Sequence, residues 1–457
     1  MATWREGVSA HVPSYERPIT RPISCMSYLK PLEGIESHLS RTTGGLHRLV
    51  AGMAETRPPG FGEITVRIHA SSLNYHDFGV VSLVAGSVLR IPLSDGAGVV
   101  AEIGAGVKEF SAGDHVVSTF FPTWLDGEPS LSDFATVPGD GIDGFATETV
   151  TLPVTAFTSA PANYSHAEAA TLTAAGLTAW RALFVNGALK PGERVLVLGT
   201  GGVSIFALQF AKAAGATVIA TSGSNDKLAR LRRLGADHVI NYRDDPQWGD
   251  AVRALTGGAG VDHVIEVGGA ATLEQSINSV RTGGHVAIVG ALPGADSPFN
   301  VRQILRKQLR ITGLLVGSRR HQLDMVRALD ATGIRPVIDR HFPLHELADA
   351  FSYQAAQRHF GKIVVDIRSQ DVRTGRKPAA VTFRISAPAG SRESRASSAS
   401  SPGGGLTLAT REGTRPGGRP RHPARALLPC GPTSSRGLRG WRLIAVGEAN
   451  GLANDCL

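Results

Sequence analysis

One seven-residue stretch limits the possible folds of this chain more than any other. Leu198-Gly199-Thr200-Gly201-Gly202-Val203-Ser204 joins the apolar run Val195-Leu196-Val197-Leu198 to a helical pattern carried by Ile205 and Leu208. Consecutive aliphatic residues ahead of a turn read as a buried strand. Glycine at 199 permits the tight turn, and glycine at 201 lets the backbone come close to an anion such as a pyrophosphate. The first turn of the following helix offers that anion its free N–H groups. Ser204 stands where the usual fingerprint has a third glycine and is small enough for close helix–strand packing. The candidate cradle is therefore Gly199, Thr200, Gly201, Gly202 and Val203. The plain alternative is an ordinary strand-to-helix turn, and the repeats around it weigh against that reading.

Strand patterns recur at 194–198, 216–221, 238–242, 261–267 and 285–292, with helical patterns between them. One of those helices is capped near Ser224 or Asn225 and carries Leu228, Leu231 and Leu234 on one face. Near-continuous apolar strands alternating with amphipathic helices predict a doubly wound parallel α/β sheet covered on both faces. At the end of its second strand the chain reads Ala220-Thr221-Ser222-Gly223-Ser224, with no carboxylate to meet a ribose 2′-hydroxyl. Lys227 follows within one helical turn and Tyr242 ends the next strand, so NADP is favoured over NAD. Lys227 as a solvated helix residue is the alternative, and Asp226 beside it is a counter-indication.

The preceding region has a different texture. Over 63–70, Ile64, Val66 and Ile68 alternate with Thr65, Arg67 and His69, and further short strands are expected at 97–104, 115–120 and 149–152. Turn signals at Pro58-Pro59-Gly60, Gly104-Ala105-Gly106 and Ala112-Gly113-Asp114 separate them, as in a compact antiparallel β unit. Strands at 311–316 and 362–367, with helices at 322–329 and 346–357, are expected to return to that unit.

The formal net charge of +8 would by itself suggest nucleic acid or an anionic membrane. Its placement says otherwise: 14 of the 47 Lys+Arg but only 5 of the 39 Asp+Glu lie in 369–457, which leaves residues 1–368 at −1. Beyond Arg368 the periodicity stops and Gly, Pro, Ser and Arg dominate, so a disordered basic tail is expected there. Its aromatic residues are Phe383 and Trp441, too few for a base-stacking surface, and nucleic acid is not an expected partner. No stretch supplies the roughly 20 apolar residues that cross a bilayer, so no membrane is expected either. Residues 1–25 read as a loose extension without a secretory signal; a mitochondrial presequence is the alternative. Cys25, Cys430 and Cys456 all lie outside 26–368, which excludes a disulfide framework and any cysteine-containing zinc site there. A cytoplasmic enzyme fits this usage.

The motifs Ser71-Ser72-Leu73-Asn74-Tyr75-His76-Asp77, Pro92-Leu93-Ser94-Asp95-Gly96-Ala97-Gly98, Ala174-Ala175-Gly176-Leu177-Thr178-Ala179-Trp180, Gly235-Ala236-Asp237-His238-Val239-Ile240-Asn241-Tyr242 and Phe360-Gly361-Lys362-Ile363-Val364 together resemble the medium-chain dehydrogenase/reductase superfamily. The resemblance spans about 26–368 and is to the zinc-independent, quinone-oxidoreductase-like branch. It implies a Rossmann domain inserted in a GroES-like β-rich catalytic domain. The chain then divides into a loose extension (1–25), the first part of the catalytic domain (26–160), the Rossmann domain (161–304), a return to the catalytic domain (305–368) and the tail (369–457).

By this resemblance the 199–203 turn holds the pyrophosphate, and Ser222, Lys227 and Tyr242 face the adenosine phosphate. Thr178, Val267 and Val289 line the cofactor path, with Lys362 as a further cofactor contact. Zinc-dependent members carry a Cys where this chain has Leu73-Asn74-Tyr75 and Gly-His-Glu where it has Leu93-Ser94-Asp95, so no zinc is expected. Asn74 and Tyr75 are the candidate catalytic donors to an oxygen gaining charge; strand-end packing is the alternative for both. Asp77 is expected to orient their loop, and water can deliver the proton. The implied activity is hydride transfer between NADP(H) and a small carbonyl, enone, quinone or alcohol substrate, in a homodimer. Alternatives are an enoyl-thioester reductase and, from a different class, an NADP-binding protein that binds RNA or a partner through its Arg-rich tail.

Overall fold

The computed structural model describes residues 46, 49–53, 56–83, 90–129, 135–290, 300–367 and 381–385. Six strands come first: β1 (Leu49–Met53), β2 (Glu63–Ser72), β3 (Ala97–Ile103), β4 (His115–Ser118), β5 (Thr149–Pro153) and β6 (Phe157–Ser159), with helix α1 (Tyr75–Leu83) after β2. Helices α2 (His166–Ala170) and α3 (Leu177–Trp180) lead to β7 (Arg194–Leu198). Then strand and helix alternate: α4 (Gly202–Ala213), β8 (Thr217–Ser222), α5 (Asn225–Arg233), β9 (His238–Asn241), α6 (Trp248–Leu255), β10 (Val261–Glu266), α7 (Leu273–Ser279), β11 (Val280–Ile288), α8 (Val301–Lys307) and β12 (Arg310–Gly313). The remaining elements are α9 (Arg319–Thr332), β13 (Ile338–Pro343), α10 (Leu347–Ala355), β14 (Lys362–Asp366) and β15 (Val381–Ile385).

Strands β12-β11-β10-β7-β8-β9 form a wholly parallel sheet in that order. The order reverses between β7 and β10, the switch point at which open α/β sheets bind ligands. Along β7, Val195 and Val197 enter the core on one face while Leu196 and Leu198 enter the core on the other. Burial on both faces is why that strand is apolar at every position rather than at alternate ones. Each fully buried aliphatic side chain contributes about 1.5–3 kcal/mol. Among the described residues no helix is long and apolar enough to cross a membrane.

The second sheet, β13-β14-β2-β3-β4-β6 with β5 also on β2, is antiparallel except at β13–β14. Ile64, Val66 and Ile68 point together into its core, as their spacing predicts. Gly98 explains one motif glycine, since a Cβ there would lie 1.9 Å from the Arg67 carbonyl oxygen across the β2–β3 pair.

Two expectations need correction. Strand β12 belongs to the parallel sheet, so that sheet continues past residue 304, where a return to the β-rich domain was expected. A short apolar strand does not reveal which sheet it joins. Second, Val381–Ile385 lies in the stretch expected to be disordered, yet it pairs antiparallel with Leu49–Met53. Composition over a long tail hides five residues with strand character. The rest of 369–457, and the 1–25 extension, lie outside the described residues.

Candidate active site

The Gly199–Val203 turn has the backbone form its glycines predict. Gly199 adopts φ +72°, a left-handed conformation that favours glycine. A Cβ at Gly201 would meet nothing within 4 Å, so the backbone there faces open space. Gly201 precedes α4 and no side chain caps the helix, which leaves its first N–H groups for an anion. Ser204, buried, donates from Oγ to the Leu198 carbonyl at 2.6 Å and ties the helix to the end of β7. These features fit a dinucleotide pyrophosphate.

Ser222 is buried at the tip of β8 and its Oγ accepts from the Ser224 amide at 3.3 Å. A Cβ on Gly223 would stand 2.8 Å from Tyr242 Oη and 2.8 Å from Arg243 Nε, so both side chains lie over this glycine. Lys227 is directed elsewhere. Its Nζ donates to the carbonyls of Gln357 and His359 at 2.8 and 2.9 Å, and burial lowers its pKa. It therefore clamps α5 to the segment ahead of β14 rather than joining Ser222 and Tyr242. Arg243 was missed in the sequence; its signal is a cation directly after the tyrosine that ends the strand.

Val267 and Val289 lie just past the C-terminal ends of neighbouring strands β10 and β11, joined by the Val289 amide donating to the Glu266 carbonyl at 2.9 Å. Thr178 is buried in α3, which is flanked by wider π-helical turns at Leu172–Gly176 and Arg181–Asn186. Glu266, wholly buried, was also missed. It accepts from the amides of Gly268 (2.7 Å) and Gly269 (2.9 Å), from Thr272 Oγ1 (2.5 Å) and from Ser276 Oγ. Four donors compensate its charge and hold the loop that leaves β10.

Opposite the turn, the catalytic candidates are held by a polar cluster. Asp77 accepts from the Asn74 amide (2.8 Å) and the Ser94 amide (2.9 Å), so it orients both loops as expected. Leu93 sits at φ +79°, a strained conformation for a non-glycine residue that costs about 1–3 kcal/mol. The strain is held in place by bonds on both sides, from Phe145 N to Leu93 O (2.8 Å) and from Ala146 N to Pro92 O (2.9 Å). Asp95 is completely buried; its Oδ2 accepts from Ser72 Oγ at 2.5 Å.

Lys362 completes the cluster. Leu73 N donates to Ile363 O at 3.0 Å and Ser72 pairs with Val364, a register that sets Lys362 opposite Asn74. Its Nζ donates to Leu73 O (2.7 Å), Asn74 Oδ1 (2.6 Å) and Asp95 Oδ2 (3.4 Å). The side-chain stem passes under the turn, where a Cβ on Gly202 would lie 2.6 Å from Lys362 Cδ, and Gly361 N bonds Thr200 O at 2.9 Å. Lys362 thus touches the 199–203 turn through its methylenes while its charge faces Asn74. Burial lowers the Lys362 pKa and raises that of Asp95, each opposed by the partner's charge. Tyr75 opens α1 and is 56% exposed, its ring 6.1 Å from that of Phe78. The structure therefore brings together Asn74, Lys362 and the 199–203 turn, and separately Ser222 and Tyr242.

Comparison with known proteins finds relatives of both sheet-bearing regions. Residues 60–162 match the family model for an alcohol dehydrogenase GroES-like domain, and 202–331 match that for a zinc-binding dehydrogenase. A zinc-type alcohol dehydrogenase-like protein of Schizosaccharomyces pombe is 41% identical over 341 residues, covering 70% of this chain and 98% of that protein. The crystal structure of an NAD-dependent alcohol dehydrogenase is 34% identical with a TM-score of 0.65, covering 72% of this chain and 98% of that one. A crotonyl-CoA carboxylase/reductase in complex with NADP is 25% identical with a TM-score of 0.61, covering 70% and 90%.

Proposed function

The chain belongs to the medium-chain dehydrogenase/reductase superfamily and is an NAD(P)-dependent oxidoreductase; from that premise we propose that it transfers hydride between NADP(H) and a small carbonyl, enone, quinone or alcohol without a catalytic metal. The observation that carries this reading is the approach of two loops. The phosphate turn rests on the Lys362 stem, and the same side chain ends on the Asn74 amide.

Zinc does not suit this cluster. An ammonium stands between Asn74 Oδ1 and Asp95 Oδ2, where it would repel a second cation. No thiol occurs between residues 26 and 368. Among the described residues, no three His, Cys, Asp or Glu side chains are arranged to hold a metal ion.

Bound NADPH would supply the hydride. The chain binds its pyrophosphate through Gly199–Val203 and α4, and meets the 2′-phosphate with Ser222, Tyr242 and Arg243. Arg243 takes the part that sequence reasoning assigned to Lys227, whose ammonium already serves two carbonyls. Asn74, with Tyr75 beside it, donates hydrogen bonds to the substrate oxygen as charge develops there.

The test follows NADPH and NADH absorbance against a panel of quinones, enones, aldehydes, alcohols and enoyl thioesters, with and without chelator. NADPH turnover insensitive to chelator is expected. Loss of activity with chelator sinks the metal-free reading, and equal use of NADH sinks the cofactor assignment. A second reading, enoyl-thioester reduction, is favoured by the likeness to the crotonyl-CoA carboxylase/reductase; exclusive turnover of the thioesters would select it.

A further inference from the structure

We infer that Lys362 polarises the Asn74 side-chain amide, so that the pair acts as one donor unit toward oxygen charge formed on the substrate. This rests on the hydride-transfer reading above and assigns a positioning role to a residue expected to contact cofactor.

The hydrogen bonds define both partners. Lys362 Nζ meets three acceptors, Leu73 O, Asn74 Oδ1 and Asp95 Oδ2. An ammonium has three N–H donors and a neutral amine only two, so the site is built around the charged form. Because that nitrogen can only donate, the oxygen of the Asn74 amide must face it. Asn74 Nδ2 is thereby turned away, with one N–H toward Ser94 Oγ at 3.3 Å; the second N–H is the donor that the inference assigns to the substrate oxygen.

The ammonium lies closer to the amide (2.6 Å) than to the carboxylate (3.4 Å), and Asp95 Oδ2 is shared with Ser72. Lys362 is 3% exposed, so little solvent screens its effect on the amide. The charged and titratable groups facing it are Asp77 from the first turn of α1, Asp95 from the loop before β3, and His359 ahead of β14. Burial is the largest influence and lowers the lysine pKa, while Asp95 and Asp77 favour the charged form.

In the reduction, the substrate carbon gains the hydride that NADPH loses. The carbon–oxygen π pair, or the conjugated pair of an enone, moves to oxygen. That oxygen is stabilised by Asn74 Nδ2–H and then takes a proton from water.

The experiment uses full-length protein and the best substrate of the panel, reading kcat, KM, pH profile and NADPH affinity by fluorescence of the bound nucleotide. Lys362→Met is expected to lower kcat about 100-fold, the scale for loss of an oxyanion donor, with NADPH affinity within about twofold of wild type, since no phosphate contact is lost. Asn74→Ala should lose a similar factor. The double variant should fall no further than either single one, as expected of groups that act as a unit. Lys362→Arg should recover kcat and move the alkaline fall in kcat to higher pH, because guanidinium keeps its proton. If Lys362→Met does not fold, Lys362→Met/Asp95→Asn removes both buried charges and carries the same expectation. Unchanged kcat with weakened NADPH binding, or additive losses in the double variant, would overturn the inference. Failure of the hydride-transfer reading looks different: wild type binds NADPH but turns over nothing on the panel.

Discussion

The Gly199–Val203 turn and the Asn74–Asp95–Lys362 cluster meet at Gly202, yet they are specified in opposite ways. The turn is contiguous. Strand, glycines and helix lie within 20 residues, and its principal bond, Ser204 to Leu198, spans six positions. The cluster is assembled from three segments, with Lys362 reaching Asn74 across 288 positions. A contiguous device tolerates changes elsewhere as long as its own backbone is kept. An assembled one depends on the register of β2 against β14, where a slip of one residue would turn Lys362 to the other face of the sheet.

Breaking each region should therefore give different signatures. The largest effect is expected at the turn: Gly201→Asp places a side chain and a negative charge in the anion cradle and should weaken NADPH binding about 1,000-fold, near 4 kcal/mol. Isothermal titration checks this, and an unchanged melting temperature would show that the fold is spared. Glu266→Ala should instead act on stability. It orphans four donors, two of them buried and two half-buried, and is expected to cost about 3 kcal/mol in denaturant unfolding. A loss below about 1 kcal/mol would mean that the loop re-forms its bonds elsewhere.

Acid sharpens the comparison further. Burial and the neighbouring His263 hold the His285 pKa at about 4, below the ordinary 6.5. The unfolded chain then binds the extra proton between those values, so stability is full above pH 6.5 and falls as pH is lowered toward 4. The loss attributable to this residue is about 2–3 kcal/mol at the acid end, and His285→Gln should flatten that part of the pH–stability curve. The smallest effect is expected for Lys227→Met, which loses two carbonyl bonds and about 1 kcal/mol of stability, while the NADPH to NADH preference is retained. Arg243→Ala should reduce that preference about tenfold, or 1.4 kcal/mol. The reverse result would return the 2′-phosphate to Lys227.

Legibility in the sequence followed the same division. Strand β7, the 199–203 turn and the apolar faces of β2 were readable because period and glycine spacing are local properties. Ser222 and Tyr242 were readable as strand ends. Lys227 was not, because its partners are carbonyls some 130 positions away, and a lysine one turn into a helix has the same local pattern whichever way it points. Leu93 gave no signal, since its left-handed backbone is imposed by the 144–146 segment. Glu266 read as the polar end of a strand until four donors were seen to converge on it.

The sequence by itself determined the two sheet-forming textures, the glycine-rich turn at 199–203 and the absence of cysteine from 26–368, because each depends on residue identity and near-neighbour spacing. Only the tertiary structure decided where the cations went. Lys227 became a clamp, Arg243 came to lie beside Tyr242, and Lys362 turned its charge onto Asn74. A long side chain reaches several ångströms in any direction, and its destination is set by the acceptors that folding brings within hydrogen-bond distance.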